Sequence, residues 1–380
     1  MWIYLCICVV LTLFYAVIMS IYLHYWKNTK ELSSSTISKL PSVSIIIPVR
    51  NEELHIESLL NDLLAQDYPA HLMEIIVVDD HSEDQTPNIV RKFQNERVRL
   101  ISLNEYLLTQ EIYTAYKKKA IEAGVQSAKG ELIMTTDGDC RVSNQWVSSM
   151  VNIWSASGAK LLTGAVVMTE TNTFFRKFQS LDFLGMMGIT AAMLKLQIYN
   201  MANGANLLYE KSAFESVDGF KGIDHLASGD DMLLMYKIAQ KYNGAVAYAK
   251  HPDAVVYTKT MTTLRDFLQQ RFRWTAKSKD YQDQRMTWIL GAVFFFVVTL
   301  VINIVGAFFT KTFLYLFLFQ ILIKIIADYR LLKSTSEYYH REDLMNSFLS
   351  SQLMHILYIV FVGSLGNLLK FEWKGRKQTK

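Results

Sequence analysis

Three carboxylate pairs stand out by their spacing. Asp137 and Asp139 flank Gly138, Asp79 adjoins Asp80, and Asp230 adjoins Asp231. Two carboxylates one residue apart at a strand end point the same way when the residue between them turns the backbone, and Gly138 permits that turn. Such a pair suits Mg²⁺ or Mn²⁺ already carrying phosphate oxygens, because those ions need only one or two protein carboxylates there. Asp79 and Asp80 are placed to hold the base or ribose of a nucleotide. The triplet Lys117, Lys118, Lys119 reads equally as a solvated helix face or as cations near a diphosphate. Asp230 and Asp231 precede the helical run Met232 to Gln240, where acidic side chains also favour a helix N-terminus.

The elements that must position these groups are legible. Val43 to Ile47 is a β-branched run closed by Pro48, as in a buried parallel strand. Ile56, Leu59, Leu60, Leu63 and Leu64 follow at helical spacing, and Tyr68-Pro69 ends that helix. Ile75 to Val78 forms a second strand that runs straight into Asp79-Asp80. Ala115 to Val125 is helical, and a third strand, Leu132 to Thr135, leads into Asp137 and Asp139. Open α/β sheets bind ligands at the carboxyl ends of such strands. No Gly-x-Gly-x-x-Gly follows the first strand and no Walker-type loop is present, so a nucleotide is held by another device.

The chain has 380 residues, of which 51% are apolar and 19% charged, and its mean hydropathy is +0.14. These values exclude a wholly soluble protein, and 13% aromatics exclude a disordered one. The net charge of +4 is too small to argue for nucleic-acid binding. Cys6 and Cys8 lie in the first apolar run and Cys140 stands alone, which leaves neither a disulfide framework nor a Cys-rich zinc site.

The apolar surplus sits at the ends. Residues 1–26 carry no Asp, Glu, Lys or Arg and read as a retained membrane anchor, followed by a linker over 27–39 containing the polar run Ser33 to Ser38. Lys27 and Lys30 then place the following body, residues 40–285, in the cytoplasm. The region 286–370 holds two or three hydrophobic segments: Met286 to Thr310, Thr312 to Leu332 and Asn346 to Leu369. The basic tail 371–380, with Lys374, Arg376, Lys377 and Lys380, favours two crossings in this region, which with the first anchor make three. The middle segment, with Lys324, Asp328 and Arg330, is therefore expected to be re-entrant or interfacial. The expectation is a multi-pass protein of the cell membrane. No repeat of twenty to fifty residues marks a solenoid.

Residues 44–274 resemble the family 2 inverting glycosyltransferases with a GT-A fold. The resemblance is carried by Ile47-Pro48-Val49-Arg50-Asn51-Glu52-Glu53, Val77-Val78-Asp79-Asp80-His81-Ser82, Ala128-Lys129-Gly130-Glu131 and Asp137-Gly138-Asp139. It extends to Ser228-Gly229-Asp230-Asp231 and to Gln270-x-x-Arg273-Trp274, a signature of membrane-embedded members. It implies a Rossmann-like, mostly parallel α/β sheet flanked by transmembrane helices. It further implies that Asp80 contacts the uracil ring and that Asp137 and Asp139 hold the nucleotide and its metal. Asp231 looks like the base that takes the acceptor proton, with Asp230 standing where many relatives have Glu. Pro48, Arg50, Glu52, Lys118, Gln270, Arg273 and Trp274 are expected around the nucleotide sugar, with Arg273 near the departing diphosphate. His81 stands where relatives commonly have Gly. Asn203 and Asn206 are expected near the acceptor.

Phe174 to Ile198 is read either as a core helix or as an interfacial helix that admits a greasy acceptor. The expected reaction is transfer from a UDP-sugar to a lipid or lipid-linked acceptor by metal-assisted single displacement, which needs one base carboxylate. The alternatives are a processive chitin-, hyaluronan- or cellulose-like synthase and a non-catalytic membrane scaffold. No nucleic-acid partner is expected.

Overall fold

The computed structural model describes residues 1–32, 37, 39–107, 115–199, 201–226, 228–276 and 283–366, with the backbone of 372–373 and 376–377. Nearly all of the Ser33 to Ser38 linker and most of the basic tail lie outside the described residues. The chain forms two compact units. An α/β unit comprises Lys30–Thr169 and Met201–Lys259, and a helical unit comprises Met1–Thr29, Glu170–Asn200 and Thr260–Trp373. This differs from the single body expected over 40–285: two stretches inside it pack with the apolar helices instead.

The first helix, α1 (Trp2–Asn28), runs two residues past the expected anchor and carries Lys27 in its last turn, where a cation opposes the helix dipole. The α/β unit then begins with β1 (Val43–Val49), α2 (Ile56–Leu64), β2 (Met73–Asp79), α3 (Thr86–Lys92) and β3 (Val98–Ser102). Ile56, Leu59, Leu60 and Leu63 form the buried face of α2, as their spacing predicts. There follow α4 (Leu103–Tyr106), α5 (Tyr116–Ser127), β4 (Leu132–Thr135), β5 (Arg141–Val142), α6 (Trp146–Ser157), β6 (Leu161–Gly164) and β7 (Val166–Met168). The chain leaves for α7 (Phe174–Lys195) in the helical unit. It returns as β8 (Leu207–Glu210), α8 (Lys211–Ser216), α9 (Met232–Lys241), β9 (Val246–Ala249) and β10 (Val256–Thr258).

The main sheet has the order β3-β2-β1-β4-β8-β6-β9. Strands β3, β2, β1 and β4 are parallel, β8 is antiparallel to both β4 and β6, and β9 is parallel to β6. The connection order reverses between β1 and β4, the switch point at which such sheets open a ligand crevice. Val49, Asp79 and Thr135 end the three strands that border it. Pairing of β1 with β4 stops at Ile46 opposite Thr135, so Pro48 lies past it, where a missing N–H costs no bond to β4.

In the helical unit α7 is joined by α10 (Leu264–Ala276), α11 (Gln284–Gly306), α12 (Lys311–Tyr338) and α13 (Phe348–Leu365). Among the described residues four helices are long and apolar enough to cross a membrane: Trp2–Asn28, Gln284–Gly306, Lys311–Tyr338 and, with its preceding turn, Glu342–Leu365. Helix α7 is a core helix of this unit, with Phe178, Leu181, Leu184, Met187 and Met193 buried. A Cβ on Gly188 would lie 2.4 Å from the Thr335 side chain and one on Gly185 2.9 Å from Leu332, so glycine lets α7 and α12 approach closely.

The charged segment Thr312 to Leu332, expected to be re-entrant or interfacial, lies within the uninterrupted helix α12. Lys324 and Asp328, one turn apart and buried, form an ion pair of 2.6 Å, and Lys324 also donates to Gln352 Oε1. A second buried network links α1, α11 and α12: Asn303 Nδ2 donates to Gln320, whose Nε2 donates to Thr12 and Thr299.

Candidate active site

The crevice is walled first by two loops stitched together. Glu52 N donates to Thr86 Oγ1 at 2.7 Å, Glu83 N to Asn51 Oδ1 at 2.8 Å, and Asn51 N to Ser82 Oγ at 3.0 Å. Arg50 Nη1 donates to the carbonyls of Asp80 and His81 and Nη2 pairs with Glu83. Arg50, expected beside the nucleotide sugar, has its guanidinium engaged in holding the loop that carries Asp80. Asp80 is 3% exposed, and one of its oxygens lies 2.9 Å from His81 Nδ1. His81 has φ +56°. That left-handed conformation is the reason a glycine suits this position, and His is among the side chains that tolerate it.

The second wall carries the charge. Asp137 and Asp139 follow β4 and are both half-buried. Gly138 separates them within the turn expected from the sequence, closed by Cys140 N donating to Asp137 O at 3.1 Å, and a Cβ there would lie 2.9 Å from Val49 Cγ1 and 3.0 Å from Glu52 Cγ. Glycine is needed so that the strand end can close on β1 and Glu52. Asp137 Oδ1 is 2.8 Å from Lys117 Nζ, which also lies 3.3 Å from Asp230 Oδ2. Burial alone would lower the Lys117 ammonium, but the neighbouring Asp137 and Asp230 charges outweigh it and hold its pKa above the ordinary lysine value. Gly204 passes against the same cluster; a Cβ on it would stand 3.1 Å from Asp230 Oδ2 and 3.3 Å from Lys117 Nζ. Asp231, the more exposed of its pair, accepts hydrogen bonds from Met232 N at 2.7 Å and Gly204 N at 3.3 Å.

Two half-buried carboxylates beside a crevice suit a divalent ion that takes its remaining ligands from phosphate and water. Among the described residues no group of three His, Cys, Asp or Glu side chains could hold a metal alone. Cys140 adds no ligand: burial, then the charges of Asp139 and Asp137, push its thiol well above the usual range.

Three further residues expected at the site are buried and bonded to the surrounding backbone. Lys118 is 1% exposed, and its ammonium donates to the carbonyls of Ile223, Leu226 and Ser228 at 2.6–3.0 Å. It braces the segment before Asp230, whereas Lys117 turns to the carboxylates Asp137 and Asp230. Sequence spacing held the signal, since Lys118 shares a face with Ile121 and Val125, both buried on α5. Asn206 is fully buried. Its Nδ2 donates to Ala165 O and Ala254 O, and its Oδ1 accepts from Trp146 Nε1, which leaves no group to meet an acceptor. Asn203 likewise donates to Gly164 O and is 9% exposed.

Gln270, Arg273 and Trp274 lie on α10 of the helical unit, the last two three and four residues after the first and so on one helical face. Trp274 stacks on Phe183 at 5.6 Å between ring centroids. Arg271, which the signature does not include, sets its guanidinium carbon over the Trp274 ring, 4.2 Å from the centroid, and pairs with Asp182 at 2.7 Å.

A mostly parallel sheet with carboxylates at its switch point defines a nucleotide-binding α/β protein. Residues 44–218 match the description Glycosyl transferase family 2, and residues 132–365 match Glycosyl transferase family group 2. The chain belongs to the family 2 glycosyltransferases. It is 33% identical over 199 residues to glycosyltransferase AglE of Haloferax volcanii, covering 51% of this chain and 60% of that protein. Over 278 residues it is 23% identical to the poly-beta-1,6-N-acetyl-D-glucosamine synthase of Staphylococcus epidermidis, covering 69% of this chain and 63% of the other. The chain thus spans about three fifths of the length of the curated relatives it matches. In fold it is similar to the mannosyltransferase PcManGT of Pyrobaculum calidifontis, solved in complex with GDP-Man and Mn²⁺, with a TM-score of 0.56 and 18% identity over 92% of this chain and 98% of that one. The fold is GT-A.

Proposed function

We propose that this chain is a membrane-bound inverting glycosyltransferase that moves a sugar from a UDP-sugar to a lipid or lipid-linked acceptor. The observation that carries the reading is the gathering of Asp137, Lys117, Asp230 and Asp231 around Gly204 at the sheet's switch point. Asp80 would hold the uracil side of the donor, on a loop fixed by Arg50. Asp137 and Asp139 would hold Mg²⁺ or Mn²⁺, which when bound supplies positive charge to the departing diphosphate. Lys117 places a second cation in the same crevice.

Asp231 is assigned as the base. Asp230 is 9% exposed and faces Lys117, whereas Asp231 is the more open carboxylate and is oriented by two backbone N–H groups. Once the diphosphate leaves without protonation, one base is enough. Gln270, Arg273 and Trp274 are retained as donor-binding residues on the family resemblance. The long apolar helices support a lipid acceptor, and Lys27 and Lys30 support a cytoplasmic α/β unit.

The test is transfer of radiolabelled sugar from UDP-sugars to membrane lipids by purified protein, with UDP binding followed calorimetrically. Asp231→Asn should bind UDP in the presence of Mn²⁺ like the wild type while turnover falls about 10²–10⁴-fold. Undiminished turnover of that variant, or no UDP binding by the wild type, would overturn the reading. A polymer product would replace it with the processive one.

A further inference from the structure

Within the helical unit lies a cavity of about 590 Å³, to which α1, α7, α10, α11, α12 and α13 contribute. Its size falls in the roughly 300–1,000 Å³ range of small-molecule sites. Most of its wall is hydrocarbon, as at Met186, Leu290, Phe294, Leu332 and Ile359. One stretch of wall is polar. Arg271, 4% exposed, gives Nη2 to Asp182, but its Nε and Nη1 have no hydrogen-bond partner among the described residues. Ser351 Oγ, which also lines the cavity and is buried, has none either among the described residues. Buried donors without acceptors are costly, so these groups point to a ligand that brings oxygen atoms.

The neighbouring charges decide what kind of oxygen. Arg271 is balanced by Asp182, which also accepts from Tyr358 Oη at 2.9 Å. Asp328 is balanced by Lys324 and accepts from Tyr15, and His355 lies between the pairs, 3.3 Å from Lys324 Nζ and 3.7 Å from Asp182 Oδ1. Each cation is already matched by an anion. An entering phosphate or carboxylate would bring uncompensated charge into apolar surroundings. A hydroxyl or ester carbonyl would satisfy the open donors without it.

We propose that this cavity binds an uncharged amphiphile, with its hydrocarbon chain along the apolar wall and its hydroxyl- or ester-bearing head against Arg271 and Ser351. That this occupant is the sugar acceptor rests on the lipid-acceptor reading above; the binding itself does not.

Gly291 lines the cavity, and an added Cβ would meet nothing within 4 Å. Gly291→Leu therefore fills the space with a good helix former. Arg271→Lys keeps a cation for Asp182 and removes the Nε and Nη1 donors. The protein in phosphatidylcholine nanodiscs is exposed to a photoreactive diacylglycerol, with a phosphatidate of the same chains in parallel, and labelled peptides are mapped by mass spectrometry. The expected result is labelling of cavity-lining peptides by diacylglycerol, competed by unlabelled diacylglycerol and reduced about tenfold in both variants. Labelling unchanged in either variant, equal or stronger labelling by phosphatidate, or no labelling would overturn the proposal. UDP binding measured on the same samples separates the two claims. Intact UDP binding without lipid labelling defeats the cavity assignment alone. Labelling without sugar transfer to any lipid defeats the acceptor reading and leaves the cavity's ligand in place.

Discussion

Lys117 and Lys118 are chain neighbours with opposite tasks, and the difference is one helical step. Lys117 turns into the carboxylate cluster, whereas Lys118 turns into the core and ties three carbonyls. Lys117→Met should leave the melting temperature near the wild-type value and weaken UDP binding about ten- to hundredfold by titration calorimetry. Lys118→Met should do the reverse, costing about 1–3 kcal/mol in denaturant unfolding through its orphaned carbonyls. Because the Lys117 pKa is raised, its contribution is fully present below the unfolded value of about 10.4 and is lost only as pH rises through the folded one. The residue types and spacings of Asp80, Asp137, Asp139 and Asp231 single them out in the sequence as candidates for site chemistry. The fates of Arg50, Asn203 and Asn206 were not legible there, because which backbone groups a polar side chain meets depends on segments distant in sequence. The His81 position became intelligible only through its backbone angle.

At the level of elements, the helix and strand periods located β1, α2, β2 and β4, since each buries an apolar face of regular spacing. Glu74 shows what joins them. It accepts from Ser44 Oγ and Lys129 N and pairs with Arg99, so one carboxylate connects β2 to β1, to β3 and to the turn before β4. Burial opposes its ionisation, but those hydrogen bonds and the Arg99 charge prevail and its pKa is lowered. A lowered folded value means stability present above the unfolded pKa of about 4.3 and lost as pH falls through the folded one. Glu74→Gln should cost about 1–3 kcal/mol at neutral pH, and its stability should fall less steeply than the wild type's below about pH 4.5. Parallel acid-titration curves of the two would refute that assignment. The charged element α12 is one uninterrupted helix, in which Lys324 and Asp328, four residues apart, neutralise each other within the packed interior.

For the whole molecule, the parity of crossings follows from what the ends of α13 touch. Its C-terminal end meets α10: a Cβ on Gly366 would lie 2.9 Å from the Thr275 side chain, and Val362 packs with Phe272. At its N-terminal end Phe348 meets Tyr329, in the later half of α12. A helix returning across the bilayer beside α12 would instead end near Lys311. The expectation is that α13 stays on the cytoplasmic side, leaving three crossings and a basic tail that obeys the positive-inside rule. Topology reporters inserted after His340 and after Gly366 should report the same side; opposite sides would show that α13 crosses. Composition raises this parity question but does not answer it, because it does not reveal which helices are neighbours.

The interleaving of the two units also sets a schedule for synthesis. Helix α7 leaves the ribosome when α1 already exists, but Leu332 and Thr335, which its Gly185 and Gly188 face, are translated on the order of ten seconds later at about 5–20 residues per second. For that interval α7 must shelter its apolar face against α1 or lipid. Ribosome-stalled chains ending before α12 would be the ones that insertion factors and proteases see.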